Sequence, residues 1–218
     1  MAVEITDYPS LSAAFEDYLA RTDLTEFLPY FVRVTEAWLN RQLRTREMMA
    51  TAGLLPVAGT PGYTIPGDYL EWIALQWSSA DLSRVQMLRY VEPDSPEFRH
   101  RFRPNGDPQY FTVLGDQVQT RSLQPGKVSL TYYRQIPALS AAAPTNWLLT
   151  KAPELYLYGV MAEAYRFQKD EARNQKWLAD GMSFLQALMG QGDSQKTGGR
   201  PRRTAEDQAE ATARDTPN

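Results

Sequence analysis

Between residues 53 and 67 the chain carries glycine or proline at positions 53, 56, 59, 61, 62, 66 and 67, a punctuation that rules out a long helix through its middle. The flanks read differently. Residues 10–49 show helical periodicity, with Leu24, Leu28, Phe31, Val34 and Trp38 spaced to place an apolar stripe on one helix face. Ser10 and Asp23 are N-cap candidates, and Asp23 with Glu26 forms an Asp-x-x-Glu variant of the capping box. Pro29 predicts a late helix start or a mild kink. Arg41, Arg44 and Arg46 crowd the end of the segment, where cations complement the helix dipole.

Within the middle zone, residues 69–77 predict a strand with aromatics on both faces. Residues 110–114, 117–123 and 127–133 predict a three-stranded meander, turned at Gly115-Asp116 and again at Pro125-Gly126. In the last of these, Val128, Leu130 and Tyr132 alternate with Lys127, Ser129 and Thr131, the pattern of a half-buried strand. A short helix is expected over residues 95–103.

Helical spacing returns after Thr150 and Pro153, where Leu155, Tyr158, Ala162 and Tyr165 share a face. A break at Lys169-Asp170 precedes a last helix carrying Leu178, Met182, Leu185 and Met189 at three-to-four spacing. Residues 191–218 contain no aromatic residue and no aliphatic side chain larger than alanine, so this segment cannot bury enough surface to fold alone. The expected fold class is therefore mainly α. A helical bundle from residues 1–49 and 145–190 would carry a small antiparallel β insert over residues 50–144, plus an extended polar C-terminal arm over residues 191–218.

Composition narrows the function. The net charge of -3 gives no global field for nucleic acid or membrane. No cysteine is present, which removes disulfides and thiolate chemistry together. No run approaches the length of a membrane helix and no basic-then-apolar leader opens the chain, so it reads as soluble and not secreted.

The single histidine, His100, makes a two-histidine zinc site impossible and would have to serve any histidine-based triad. It lies among Arg99, Arg101 and Arg103, whose charges disfavour an imidazolium, and reads as a solvated or interface residue. Gly181-Met182-Ser183 lacks the second glycine of a nucleophile elbow, and Gly126-Lys127 lacks the first glycine of a phosphate loop. Asp68 with Glu71, and Glu92 with Asp94, are carboxylate pairs whose spacing does not separate them from surface charges. The expectation is no enzyme, no catalytic residue, no metal and no cofactor.

Two basic clusters remain. Arg99, Arg101 and Arg103 alternate with Phe98 and Phe102, a pattern suited to contacting phosphate and stacking on bases, but the favoured reading is a short amphipathic helix whose phenylalanines pack while its arginines face solvent or a partner. Lys196, Arg200, Arg202 and Arg203 lie in the polar arm ahead of Glu206, Asp207 and Glu210, and read as a partner-binding segment.

Several ordered segments together resemble the phage head-to-tail adaptor proteins that ring the portal. They are Thr22-Asp23-Leu24-Thr25, Ala37-Trp38-Leu39-Asn40-Arg41-Gln42-Leu43-Arg44-Thr45-Arg46-Glu47-Met48 and Ile65-Pro66-Gly67-Asp68-Tyr69-Leu70-Glu71. Asp107-Pro108-Gln109-Tyr110-Phe111 and Leu130-Thr131-Tyr132-Tyr133-Arg134-Gln135-Ile136-Pro137-Ala138-Leu139 follow. The series ends with Thr145-Asn146-Trp147-Leu148-Leu149-Thr150 and Ala152-Pro153-Glu154-Leu155-Tyr156-Leu157-Tyr158-Gly159. The likeness spans about residues 20–190, and its specificity lies in the order of the segments.

The resemblance implies a helical bundle with a β insert, present in about twelve copies around the DNA channel at the virion neck and assembled in the bacterial host cytoplasm. The implied partners are the portal protein, tail or nozzle proteins and further copies of the chain, with DNA passing through without sequence-specific binding. It carries no catalytic residues. Alternatives are a stopper or tail-tube component, a virion-associated cell-wall hydrolase using Glu71, Glu92 or Glu154, and a nucleic-acid-binding module.

Overall fold

The computed structural model describes residues 4–100, 106–120, 122, 124 and 126–196. The chain divides into two compact units: a helical unit of Met1–Thr45 with Ala138–Asn218, and a β unit of Arg46–Pro137.

The helical unit starts with α1 (Tyr8–Leu19), whose N-cap is Asp7. Asp7 Oδ1 accepts from the Ser10 amide at 2.8 Å, while Ser10 Oγ accepts from the Asp7 amide at 2.9 Å. Ser10 is thus the third helical residue of a reciprocal capping box, and the predicted cap moves three residues upstream. Ala20, at φ 53, ends the helix in the left-handed region.

The expected cap at Asp23 is not formed. Asp23 instead takes both oxygens to Arg21, at 2.9 and 2.6 Å, and a single tight turn over Thr25–Phe27 leads into α2 (Leu28–Gln42). Pro29 sits in the first turn of α2, where its missing N–H costs no intrahelical bond.

On the return, α4 (Trp147–Lys151) is capped by Asn146, and α5 (Pro153–Phe167) begins at its proline. Leu155, Tyr156, Val160, Met161 and Ala164 of α5 are fully excluded from water, along with Leu11 and Phe15 of α1 and Leu28 and Phe31 of α2. Each of the leucine, valine, methionine and phenylalanine side chains among them stabilises the unit by roughly 1.5–3 kcal/mol before entropy is counted. The break at Lys169 is real: this residue adopts φ 61 and separates α5 from α6 (Glu171–Lys196).

Helix α6 packs through Asn174, Trp177, Gly181 and Leu185, while Leu178, Met182 and Met189 remain exposed, so the predicted stripe is only partly its buried face. The helix also continues six residues past residue 190, to Lys196, where an extended arm was expected. Residues 197–218 of that arm lie outside the described residues.

The fold class itself is corrected in the β unit. It is a closed seven-stranded barrel and not a small insert. Its strands are β1 (Met49–Pro56), β2 (Gly62–Thr64), β3 (Tyr69–Ser79), β4 (Val85–Tyr90), β5 (Tyr110–Leu114), β6 (Gln117–Gln119) and β7 (Gly126–Arg134), closed in the order β1-β2-β6-β5-β4-β3-β7. Every neighbouring pair is antiparallel except β4 with β5. A short α3 (Pro96–His100) lies between that pair in sequence, and the rest of the helix expected over residues 95–103 falls outside the described residues.

The meander is corrected with it. β5 and β6 form the expected hairpin, with Gly115 at φ 60 in its turn. β6, however, pairs next with β2, and β7 lies between β1 and β3. The physical reason is burial. Val128, Leu130 and Tyr132 of β7 need inward-facing partners along nearly their whole length, and β3 supplies Leu75 opposite Leu130 and Trp77 opposite Val128. Two register shifts in β3, between Tyr69 and Glu71 and between Trp72 and Ala74, bend that strand as closure demands. The barrel interior holds Leu54, Leu75, Trp77, Phe111, Val118 and Leu130.

Candidate functional site

Two surface features and one buried cluster stand out from the packing. In the helical unit, α2, α5 and α6 leave a groove of about 300 Å³ lined by Val34, Trp38 and Arg41, by Tyr158 and Ala162, and by Trp177 and Leu178. Its floor exists because Gly159 and Gly181 carry no side chain: a Cβ on Gly181 would lie 3.1 Å from Tyr158 Cβ. Arg166, at the rim, pairs with Glu163 at 3.2 Å. Half-buried Val34 and Trp38 belong to the predicted stripe of α2 but turn to this groove, whereas Leu24, Leu28 and Phe31 enter the core.

The second feature is the β3–β4 hairpin of the barrel unit. Asp81 organises its tip, accepting from Ser79 Oγ at 2.6 Å and from Ser83 Oγ at 2.9 Å and its amide at 3.2 Å. These bonds, led by that from Ser79, hold the Asp81 carboxyl down at about 2. Leu82 follows at φ 59, a conformation costly for a leucine, and with Val85 and Met87 stands largely in solvent. Arg84 pairs with Asp107 at 2.7 Å and lies over the Trp77 ring at 5.7 Å. Nothing in the spacing of these residues announced them, because exposure of an apolar side chain depends on the strand register.

The buried cluster joins Glu36 of α2 to Tyr156 of α5 and Asn146 at the head of α4. Glu36 is 8% exposed. Its Oε1 accepts from the Tyr156 hydroxyl at 2.9 Å and from the Leu139 amide at 2.7 Å. Burial pushes the Glu36 carboxyl up, against the lowering effect of both bonds. Burial, followed by the charge of Glu36, also pushes the Tyr156 phenol up, so it remains a donor. Sequence spacing carries no trace of this cluster, since Glu36 sits in the middle of a helix that otherwise reads as amphipathic.

The residues singled out from sequence are dispersed. Arg99 is exposed on α3 beside buried Phe98, while Arg101 and Arg103 lie outside the described residues. Lys196 is the last residue of α6, and Arg200, Arg202 and Arg203 lie outside the described residues. The carboxylate pairs form no shared site: Asp68 Oδ1 accepts from the Tyr132 hydroxyl at 2.9 Å, Glu92 from the Tyr90 hydroxyl at 3.3 Å, and Glu71 and Asp94 are exposed. Glu154 is exposed beside a second depression in the helical unit that Glu4 and Tyr18 also line. Among the described residues no three His, Asp or Glu side chains gather as metal ligands. No described helix is long and apolar enough to cross a membrane.

What these surfaces offer chemically is contact: an apolar groove with a charged rim on the helical unit and apolar knobs on the barrel unit. The model of one protein family, described as SU10 adaptor protein, matches residues 6–205. No curated protein sequence matches the chain.

Proposed function

Because the chain belongs to the SU10 adaptor protein family, a family of phage head-to-tail adaptors, we propose that it joins the portal to the tail as one subunit of a ring. In this reading it is a structural virion component of the neck and not an enzyme. About twelve copies dock on the portal, extend the DNA channel and present a platform for tail or nozzle proteins. DNA passes through without sequence-specific recognition.

The observation that carries the reading is the extent of the family match, residues 6–205, which takes in most of both units. The surfaces support it physically. A ring needs heterologous contacts, in which one patch of a subunit meets a different patch of the next. The chain presents exposed apolar side chains on separate units: Leu82, Val85 and Met87 on the barrel, and Leu178, Met182 and Met189 on α6. Aromatic and arginine side chains at the groove of the helical unit are of the types enriched at interfaces.

The test is binding to portal-bearing heads. Purified protein added to heads assembled without it is expected to co-sediment with them and to restore attachment of tails. Heads that lack the portal are expected to bind none. Equal binding to both kinds of head, or to neither, would overturn the proposal.

A further inference from the structure

Leu82 stands at the tip of the β3–β4 hairpin at φ 59, a left-handed conformation that glycine or asparagine adopts at less cost, and most of it is exposed to water. Strain of this kind collects at functional sites. The tip is held in one shape: the Ser79 amide donates to the Arg84 carbonyl at 2.9 Å and the Leu82 amide to the Ser79 carbonyl at 3.0 Å. Val85 and Met87, two residues apart on β4, share its outward face, while Leu88 is buried. Arg84 is paired with Asp107, whereas Asp81 has no ion pair among the described residues. The bonds from Ser79 and Ser83 all converge on Asp81 Oδ1 and leave Oδ2 free of them.

The groove of the helical unit is the complement. Its volume of about 300 Å³ is about twice the roughly 150 Å³ that takes a benzene ring, room for about two aliphatic side chains. Its walls are aromatic: Trp38 of α2 and Trp177 of α6 are half-buried, and Trp177 lies 5.9 Å from the Tyr158 ring of α5. The charged residues that line it are Arg41, Glu163 and Arg166. Glu163 and Arg166 pair with each other, and Arg41 is exposed with no ion pair among the described residues. Tip and groove thus each hold one ion pair of their own and one further charge, negative at Asp81 and positive at Arg41.

We propose that the hairpin tip of one copy docks in the groove of the next, with Leu82 between Trp38 and Trp177 and Asp81 Oδ2 paired with Arg41. Within the ring reading, on which it rests, this is the contact between neighbours. Tip against tip would set two aspartates together, and groove against groove two arginines, so opposite charge selects the unlike pairing. Each copy gives a tip from its barrel unit and receives one in its helical unit, a heterologous contact that repeats from copy to copy instead of ending at a dimer. A tip already fixed in its bound shape loses little freedom on docking.

Cross-linking tests this cleanly, because the chain contains no cysteine of its own. The full chain carrying Leu82→Cys and Leu178→Cys, the second at the groove, is treated with a short bis-maleimide both concentrated in solution and bound to portal-bearing heads. A denaturing gel is expected to show a ladder of dimers, trimers and larger species in at least one setting, whereas a chain with either substitution alone can link no further than a dimer. Adding Arg41→Glu sets a like charge against Asp81 and is expected to reduce the trimer and larger bands several-fold. No species above the dimer in both settings overturns the contact, as does a ladder that Arg41→Glu leaves unchanged. Co-sedimentation with the heads is scored separately. Chains that bind portal-bearing heads without laddering refute the contact and leave the adaptor reading in place, and a ladder formed without head binding does the reverse.

Discussion

Gly159 of α5 lies against Thr35 of α2 so closely that a Cβ at position 159 would meet Thr35 Cγ2 and stand 2.7 Å from its Oγ1. The two helices cross where neither offers spare volume, and the glycine is what permits it. Gly159→Ala is expected to destabilise the helical unit by about 1–3 kcal/mol, the usual cost of overpacking. Thr35→Ala should recover much of this in the double variant, since Thr35 Oγ1 is buried without a hydrogen-bond partner and is expendable. Denaturant melts of the four chains measure the coupling.

The barrel has its own close approach. A Cβ on Gly126 would press on Trp77 Nε1 and Cε2 and on the Ser78 carbonyl oxygen, at the β7 end of the pairing with β3. Gly126→Ala is expected to cost about 1–3 kcal/mol by the same mechanism. Trp77→Ala empties the middle of the barrel and is expected to cost about 3–5 kcal/mol. The Trp77 change should exceed the Gly126 change in denaturant midpoint at an unchanged slope.

At the exposed hairpin tip the relevant variable is pH. Asp81 titrates at about 2, below its ordinary 3.8, because Ser79 and Ser83 bond its ionised form. A lowered folded value means that the ordering it contributes is present above the ordinary value and is lost as pH falls toward the folded one. NMR titration of the Asp81 carboxyl should give a midpoint near 2 and report loss of the Ser83 amide bond in step. In Ser79→Ala that midpoint should move up toward the ordinary value.

Tyr156→Phe removes a hydroxyl that accepts from Asn146 and donates to Glu36, leaving two buried polar groups each short of a partner. The expected loss is about 1–3 kcal/mol, and it should be greater than for exposed tyrosines such as Tyr30. Thermal melts of the two phenylalanine variants make the comparison.

How far the fold can be read from the residues depends on the range of the forces involved. Helices α2, α5 and α6 declare themselves through apolar spacing, Pro29, Pro153 and the break at Lys169, all within a few residues. The β5–β6 hairpin is equally local, turning at Gly115. Closure of the barrel is not. It depends on β1 and β2, which lie in the glycine- and proline-rich stretch, and on β7 pairing with β3 roughly fifty residues earlier.

Glycines at 53 and 62 read as chain breakers, yet Gly53 lies opposite Ser129 and Gly62 opposite Gln119 within the sheet. The cap of α1 shows the same effect on a small scale: Ser10 belongs to the capping box, but its reciprocal role with Asp7 puts the helix start earlier. Functional surfaces were the least legible. The groove of the helical unit needs Gly159 and Gly181 brought under Trp38 and Trp177, and the Glu36 cluster joins residues 120 positions apart.

Cryo-electron microscopy of necks from wild-type phage and from phage lacking this protein tests the central reading most directly. The expected result is a ring of density between portal and tail in the wild type, accounted for by copies of the helical unit and the barrel. In its absence the portals should be bare and the heads tailless. Unchanged neck density in particles lacking the protein, or its density placed elsewhere in the virion, would contradict a portal-to-tail adaptor.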